Sequence, residues 1–257
     1  FSNNDRPGIM LAGAVRTYTN RFGVTPGKRV AIFTNNDDGW TTAKDLHTAG
    51  VEITAIIDSR PDCQKTAPAG VPCVLGGHVV NSSGRLGLRS VLLNNGSIIP
   101  ADCLAVSGGW SPNVHLTCHH RGRPIWDNAI AGFVPGNTLP EGMIVAGAAG
   151  GTMTIASCLK AGIAASQRVL SDLGRKPANI EAPRATDEKF SIQPFWHVKD
   201  SIDKAFVDFQ HDVSVEDIKL AYREGFRSVE HLKRYTTLGM ATDQGKIANI
   251  PGLAILA

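Results

Sequence analysis

Near the carboxyl end of the chain, cationic and hydroxyl side chains gather at a predicted helix end and in the glycine-bearing loop that follows it. Lys and Arg bind phosphate oxygens through charge-assisted hydrogen bonds, and Thr and Gln add neutral hydrogen-bonding groups. The set therefore predicts a site for a phosphate or for the edge of a flavin, and a solvated helix face is the alternative. The residues concerned are Lys233, Arg234, Thr236, Thr237, Gln244 and Lys246.

An acidic turn, TNNDDG at residues 34–39, follows a predicted strand. A dinucleotide-binding βαβ unit carries glycines at this place, so that backbone amides can approach the pyrophosphate at the helix N-terminus. Asp37 and Asp38 would instead each repel a phosphate about 4 Å away by about 1 kcal/mol, even in water. The turn predicts the nucleotide-binding shape without its usual ligand, and Asn36 or Asp37 as a plain helix N-cap is the alternative.

Small residues at 146–151 lie between a predicted strand and a predicted helix. Their size would let a diphosphate or a ribose approach the backbone and the positive end of the helix dipole. Tight packing of the helix on the strand explains the same residues. The segment ADCLAVSGGWSPN at 101–113 adds support for a nucleotide, because an apolar strand that ends in small residues is how a chain leaves a nucleotide domain and crosses a cofactor.

The segment CHHRGR at 118–123 contains three residues of metal-ligand type, Cys118, His119 and His120. Consecutive side chains do not easily point at one ion, and no second Cys/His pair has zinc spacing. We therefore interpret the segment as a solvated loop and predict no metal site.

The composition indicates a turn-rich α/β protein, with 42% hydrophobic residues, 19% charged residues and 27 glycines in 257 residues. A formal charge of +3 without a basic run argues against a nucleic-acid partner. The five cysteines are odd in number and widely spaced, which favours free thiols in a reducing compartment, the cytoplasm. The sequence contains no apolar run of about 18 residues that would predict a membrane helix. The chain begins with Phe1 and ends in GLAILA, and we expect a piece of a longer polypeptide.

Hydrophobic periodicity supplies the elements that would position these residues. We predict a helix over 6–23, then a strand at 28–35, a helix at 39–50 and a strand at 51–58, which together read as a parallel βαβ unit. The stretch 74–106 alternates strand-like runs with turn residues and predicts an antiparallel meander.

The second half of the chain carries longer helical patterns. We predict a buried strand that runs into a Gly-rich turn within 142–151, and then a helix at 153–173 that stops at Gly174. A Pro- and charge-containing linker follows, and then two short helices on either side of Gly225.

Five motifs together resemble the α subunit of heterotetrameric sarcosine oxidase, and the resemblance covers nearly the whole chain. The last of them is the most specific. They are NDRPGIMLAGAVRTY, TNNDDGWTTAKDL, AVSGGWSPN, VAGAAGG and FVDFQHDVSVEDIKLAYREGFRSVEHLKRYTTLGMATDQGK.

The resemblance implies an α/β fold, an FAD/NAD(P)-binding Rossmann-like domain of the pyridine nucleotide-disulfide reductase type with a parallel sheet and a β-meander. This domain would occupy residues 1–175, with a second nucleotide domain at about 27–105. A linker at 176–194 would lead to a small α-helical domain at 195–257 that resembles a BFD-like 2Fe-2S domain.

Related amine and proline dehydrogenase subunits hold a two-iron, two-sulfur cluster in that helical domain. By similarity its ligand positions here are Asp208, Gln210, Asp243 and Ala248. None is a cysteine, so we expect no cluster. The resemblance instead implies an FMN between the α and β subunits, close to the loop described first.

The resemblance also implies NAD in the pocket where relatives hold FAD. The part of that site in this chain would be the turn at Gly147 and Ala148 and the helix start at Met153, Thr154 and Ile155, with Gly108 and Gly109 nearby. The acidic turn at 35–39 would belong to the second nucleotide domain, where reductase relatives bind NAD(P)H, and we expect that pocket to be empty.

As a whole, the resemblance implies a flavoprotein heterotetramer of α, β, γ and δ subunits that oxidatively demethylates sarcosine. FAD and tetrahydrofolate would bind elsewhere in the complex, and amine oxidation would belong to the β subunit. No catalytic residue is therefore expected in this chain. The alternatives are a stand-alone NAD(P)H-dependent flavin reductase and a non-catalytic scaffold subunit.

Overall fold

The computed structural model describes residues 1–186 and 189–257. The chain divides into two compact units. One combines Phe1–Gly108 with Gln193–Ala257, and the other is Gly109–Ile192.

The first part of the larger unit alternates strands and helices. Its elements are β1 (Ile9–Leu11), α1 (Ala12–Phe22), β2 (Arg29–Thr34), α2 (Asp37–Thr48), β3 (Glu52–Asp58), β4 (Cys73–Leu75), β5 (Val79–Ser83), β6 (Ser90–Leu93), β7 (Ile98–Pro100) and β8 (Cys103–Ser107).

Five of these strands form a parallel sheet in the order β1-β8-β2-β3-β4. Both faces of the sheet are covered, which is why β2 and β3 are nearly continuous apolar runs. Val30, Ile32 and Ile56 face a core with α1 and α2, whereas Ala31 and Phe33 face a second core with the meander. The predicted βαβ unit is therefore confirmed.

Two expectations for this region are corrected. The helix predicted over 6–23 begins only at Ala12, because residues 9–11 pair with β8 as a parallel edge strand. Within 74–106 only β5, β6 and β7 form the antiparallel meander. The strands β4 and β8, at its two ends, pair in parallel with β3 and with β2.

The smaller unit contains little regular structure. A short 3-10 segment at His115–Arg121 precedes the antiparallel pair β9 (Ile125–Asp127) and β10 (Gly132–Val134), and α3 (Ile155–Asp172) follows. The strand predicted within 142–151 was wrong, because none of the described residues pairs with it, whereas the Gly-rich turn predicted at its end is present as a 3-10 turn at Gly147–Gly150. The helix predicted at 153–173 is confirmed as α3.

The carboxyl-terminal part of the chain is a small helical bundle behind a two-stranded ribbon. It consists of β11 (Phe206–Asp208), β12 (Val213–Ser214), α4 (Val215–Arg223), α5 (Val229–Thr236) and α6 (Asn249–Leu256). The two helices expected around Gly225 are confirmed. The ribbon and α6 are elements that the sequence reasoning missed.

The bundle belongs to the same compact unit as residues 1–108 because it contacts them directly. The side chain of Asn4 exchanges two hydrogen bonds of 2.8 Å with the backbone of Phe206. Phe195 packs edge-on against Phe33. The predicted division into domains 1–175 and 195–257 with a linker at 176–194 stays a prediction. The compact units of the structure separate after Gly108 and after Ile192.

In the part of the chain that the structure describes, no helix has the length and apolarity needed to cross a bilayer.

Candidate functional site

The loop that follows α5 is held by a buried carboxylate at the end of β11. Asp208 is 3% exposed. Its Oδ1 accepts hydrogen bonds from the backbone N–H groups of Gln210 and His211 at 2.9 and 3.4 Å, and its Oδ2 accepts one from Gly239 at 2.7 Å. One carboxylate therefore joins the β11–β12 turn to the loop.

Two further hydrogen bonds connect the same turn to the same loop. A ring nitrogen of His211, Nδ1, lies 3.1 Å from the carbonyl oxygen of Thr237, and the Thr242 hydroxyl donates to Gln210 Oε1 at 3.0 Å. Asp208 and Gln210, two positions that the resemblance matched to cluster ligands, are thus hydrogen-bonding anchors of the loop.

The other two such positions have local roles. Asp243 accepts a hydrogen bond from the Gly245 N–H at 3.1 Å, which stays inside the loop. Ala248 is 2% exposed and packs in the apolar core of the helical bundle.

Two glycines allow the loop to fold tightly over the first residue of α6. Gly239 and Gly245 have φ angles of 66° and 70°, and a Cβ on either one would collide with Asn249 Oδ1. The Asn249 side chain also donates to the carbonyl of Gln244 at 3.1 Å. The loop therefore packs around the side-chain amide of Asn249.

The structure places the six candidate phosphate- or flavin-binding residues on the end of α5 and on this loop. Lys233 is half-buried and Arg234 is exposed, both in the last turn of α5. Cations at the carboxyl end of a helix also interact favourably with the helix dipole, so these residues fit a solvated helix face as well.

The hydroxyls of the two threonines are used locally. Thr236 donates to the carbonyl of Leu232 at 2.8 Å, and Thr237 donates to the carbonyl of Thr236 at 2.5 Å. Thr237 caps α5 with φ at 64°, a left-handed conformation that is uncommon for a β-branched residue.

The remaining two candidates lie further along the loop. Gln244 also has a positive φ, 55°, and its amide donates to the carbonyl of Ala241 at 2.9 Å. Lys246 is exposed next to it. The structure thus brings the six residues into one helix end and one loop. Their role in binding a cofactor stays a prediction.

The acidic turn after β2 is a helix cap. The Asn36 side chain accepts from the Asp38 N–H at 2.9 Å, which confirms the N-cap interpretation. Gly39 is required for packing, because a Cβ there would collide with the Thr34 side chain. The glycine therefore serves the contact between helix and strand.

A buried arginine, which the sequence reasoning did not find, neutralises this turn. Arg60 binds Asp37 at 2.8 Å and Asp58 at 2.7 Å, and Trp40 Nε1 donates to Asp58 at 2.6 Å. Burial by itself would lower the pKa of Arg60, but the hydrogen bonds to Asp58 and Asp37 outweigh it and raise the pKa, so the guanidinium stays charged. Asp37 thus belongs to an internal ion-pair network.

The predicted NAD-contacting turn lies in the smaller unit. Gly147 begins the 3-10 turn with φ at 65°, and the Thr154 hydroxyl caps α3 by accepting from the Ser157 N–H at 3.4 Å. The side chain of Ile155 is 72% exposed. Ala148 lies within the 3-10 turn and Met153 just before the cap residue.

Gly108 closes the larger unit and Gly109 opens the smaller one. Gly109 has φ at 111°, and a Cβ there would collide with Ile192. The assignment of these glycines and of the 147–155 turn to NAD stays a prediction.

The described residues contain no group of three or more His, Cys, Asp or Glu side chains that could hold a metal ion. The thiol of Cys118 donates to the carbonyl of Val114 at 3.4 Å. His120 and Arg121 have positive φ angles, where the 3-10 segment is interrupted.

The parallel sheet, the meander and the helical bundle together form an architecture that is shared with a solved structure. The structure matches the crystal structure of L-proline dehydrogenase from P. horikoshii with a TM-score of 0.69 at 18% identity, covering 100% of this chain and 49% of that chain. The predicted α/β fold with a parallel sheet and a β-meander is confirmed, and its assignment to the FAD/NAD(P)-binding type stays a prediction.

Comparison of sequences gives a more specific result than comparison of structures. The chain is 42% identical over 262 residues to the sarcosine oxidase subunit alpha of Rhizobium meliloti (strain 1021) and 36% identical over 279 residues to that of Corynebacterium sp. (strain U-96). Residues 202–257 match the family model of the sarcosine oxidase A3 domain. The resemblance to sarcosine oxidase α subunits is therefore confirmed.

All of this chain is covered in both comparisons, but it spans only 26% and 29% of the length of these two relatives.

Proposed function

We propose that this chain is part of the α subunit of a sarcosine oxidase complex. The complex would convert sarcosine, oxygen and tetrahydrofolate into glycine, hydrogen peroxide and methylenetetrahydrofolate. The observation that carries this proposal is the 42% identity to a sarcosine oxidase α subunit over the full chain. Partners would be the β, γ and δ subunits of a heterotetramer, located in the cytoplasm.

Within that complex, residues 195–257 would form a helical domain of the BFD-like type that lacks its cluster. A two-iron, two-sulfur cluster requires thiolate or occasionally imidazole ligands. The cysteines of the sequence are at 63, 73, 103, 118 and 158, so this segment has none. The residues at the four matched positions therefore do not fit a cluster, and we derive no step through one.

The loop would serve FMN instead, at the interface with the β subunit. Lys233 and Arg234 would bind the FMN phosphate, and Thr236, Thr237, Gln244 and Lys246 would form the surrounding polar surface. The charges and the hydrogen-bonded shape of this helix end support the assignment. FMN would supply electron transfer, and this chain would contribute binding and orientation, without a catalytic residue.

NAD would bind at the 147–155 turn with Gly108 and Gly109, while FAD and tetrahydrofolate would bind elsewhere in the complex. The acidic turn at 34–39 supports no second nicotinamide site. Its carboxylate Asp37 is engaged with Arg60 at 2.8 Å, and no glycine-rich turn follows β2. A stand-alone NAD(P)H-dependent flavin reductase is therefore disfavoured.

The proposal is tested by expressing the full-length α polypeptide with its partner subunits. Sarcosine-dependent hydrogen peroxide formation and one bound FMN per complex are expected. Lys233→Ala and Arg234→Ala should each weaken FMN binding roughly 10- to 150-fold, since a charge-assisted phosphate contact contributes about 1.5–3 kcal/mol.

Lys219→Ala is the matched control, because this exposed lysine on α4 pairs only locally with Glu216 at 2.8 Å among the described contacts. It should leave FMN content unchanged. A flavin-free complex would favour the scaffold alternative, and tight titration of NADPH by the purified protein would favour the reductase.

A further inference from the structure

Asp208 stands out among the acidic residues because its carboxylate is buried and both of its oxygens accept backbone hydrogen bonds. We propose that Asp208 is the positioning residue for the proposed FMN-contacting loop, residues 237–246. This inference rests on the proposed function of that loop and adds a residue that itself touches no cofactor.

The bonding pattern requires two acceptor oxygens. Oδ1 serves the β11–β12 turn through Gln210 and His211, and Oδ2 serves the loop through Gly239. An asparagine has the same shape but only one acceptor oxygen, so its amide group would face an N–H donor on one side. The isosteric change would therefore separate the loop from the turn without creating a cavity.

The loop needs such an anchor because its own backbone is unfavourable. Thr237 and Gln244 are non-glycine residues with φ at 64° and 55°. Left-handed conformations of this kind persist only where surrounding contacts impose them. Gly239 lies between Thr237 and Gln244 in the chain. The hydrogen bond from the Gly239 N–H to Asp208 therefore constrains the backbone between them.

The neighbouring contacts point the same way. His211 reaches the Thr237 carbonyl and Gln210 reaches the Thr242 hydroxyl, so the β11–β12 turn touches the loop on both sides of Gly239. Sequence separates these partners by about thirty residues. The β11–β12 turn therefore fixes the positions of Thr237, Gln244 and Lys246.

The test uses Asp208→Asn in the full-length α polypeptide assembled with its partner subunits. We expect FMN affinity, measured by flavin fluorescence titration, to fall about tenfold or more. Amide hydrogen exchange at Gly239 should accelerate by a similar factor, while exchange in α4 is unchanged. Thr242→Val, which removes only the Gln210 contact, should give a smaller loss of two- to fivefold.

Asp217→Ala is the matched control for a purely structural loss. Asp217 caps α4 by accepting from Ser214 at 2.8 and 2.6 Å and does not contact the loop in the described structure. It should lower the unfolding temperature and leave FMN affinity intact.

The inference is overturned if Asp208→Asn and Thr242→Val bind FMN like the unmodified complex while Lys233→Ala and Arg234→Ala bind it weakly. If the two cation variants also bind FMN normally, the proposed site is wrong, and the positioning role is overturned with it.

Discussion

At the scale of single residues, the charge of Arg60 holds together the carboxyl edge of the parallel sheet. Its side chain is 7% exposed and lies between Asp37 and Asp58, which come from α2 and β3. A buried ion pair contributes little compared with apolar packing, but removing one partner leaves an uncompensated charge.

Arg60→Met should therefore destabilise the protein by about 3–5 kcal/mol, measured by urea unfolding. The control is Arg16→Met, because Arg16 also binds two carboxylates, Asp38 at 2.6 Å and Asp45 at 3.0 Å, but is 27% exposed. That change should cost no more than about 1 kcal/mol. Equal losses in the two variants would contradict the argument.

The buried thiol of Cys103 makes a different prediction. Burial in the sheet core raises the pKa of Cys103 from 9.0 to about 12. Above pH 9 the unfolded chain loses this proton and the folded chain keeps it, so stability falls as pH rises towards 12.

Cys103→Ala should remove that dependence and flatten the alkaline stability profile by about 1.4 kcal/mol per pH unit between pH 9 and 12. The comparison is made by urea unfolding of both proteins at matched pH values. Cys73→Ala, at an exposed position, is the control and should leave the slope closer to that of the unmodified protein. Parallel profiles for the unmodified protein and Cys103→Ala would refute the prediction.

Local contacts of single residues could be predicted from sequence, and distant ones could not. The Asn36 cap was predictable because its partner, Asp38, is two residues away. The partner of Asp37 is 23 residues away, and Asp208 lies 31 residues from Gly239. Only the fold brings such groups together.

At the scale of elements, the closed loop before α6 depends on the space around Gly245. Gly245→Ala combines a positive φ of 70° with a collision against Asn249 Oδ1. It should destabilise the protein by about 2–5 kcal/mol, the sum of a left-handed backbone cost and an overpacking cost.

Gly50→Ala measures the cost of the left-handed backbone conformation alone. Gly50 has a similar φ of 77°, but a Cβ there meets nothing within 4 Å. It should cost about 1–2 kcal/mol in thermal or urea unfolding. If the two substitutions have the same effect, the contact with Asn249 contributes nothing.

Elements with a strong period were predictable, and those defined by a partner strand were not. The helix α3 and the strands β2 and β3 follow from periodicity. The residues of β1 read as part of a helix until β8 is available to pair with them. Conversely, the apolar run at 142–151 reads as a strand, although none of the described residues pairs with it.

At the scale of the whole molecule, the larger unit is built from two separated parts of the chain. Residues 175–186 between them are mainly exposed and contain no helix or strand. Trypsin should cut there after Arg175 or Arg184 before it cuts the sheet, whereas the bond after Lys176 is protected by Pro177.

The nicked protein should remain a single species in gel filtration and separate only in denaturant. The two fragments would be held by the paired hydrogen bonds of Asn4 with Phe206 and by the packing of Phe195 on Phe33. Separate elution of the fragments under native conditions would show that these contacts are insufficient. Asn4→Ala should lower the denaturant concentration at which they part.

The discontinuity of this unit also affects how the protein matures on the ribosome. Translation proceeds at about 5–20 residues per second, so synthesis of residues 109–192 delays the arrival of Phe195 by roughly 4–17 seconds. Throughout this delay, the meander can already cover this face of the sheet, but Phe33 lacks its edge-on contact with Phe195. The larger unit therefore cannot complete its packing until the residues between its two parts have been synthesised.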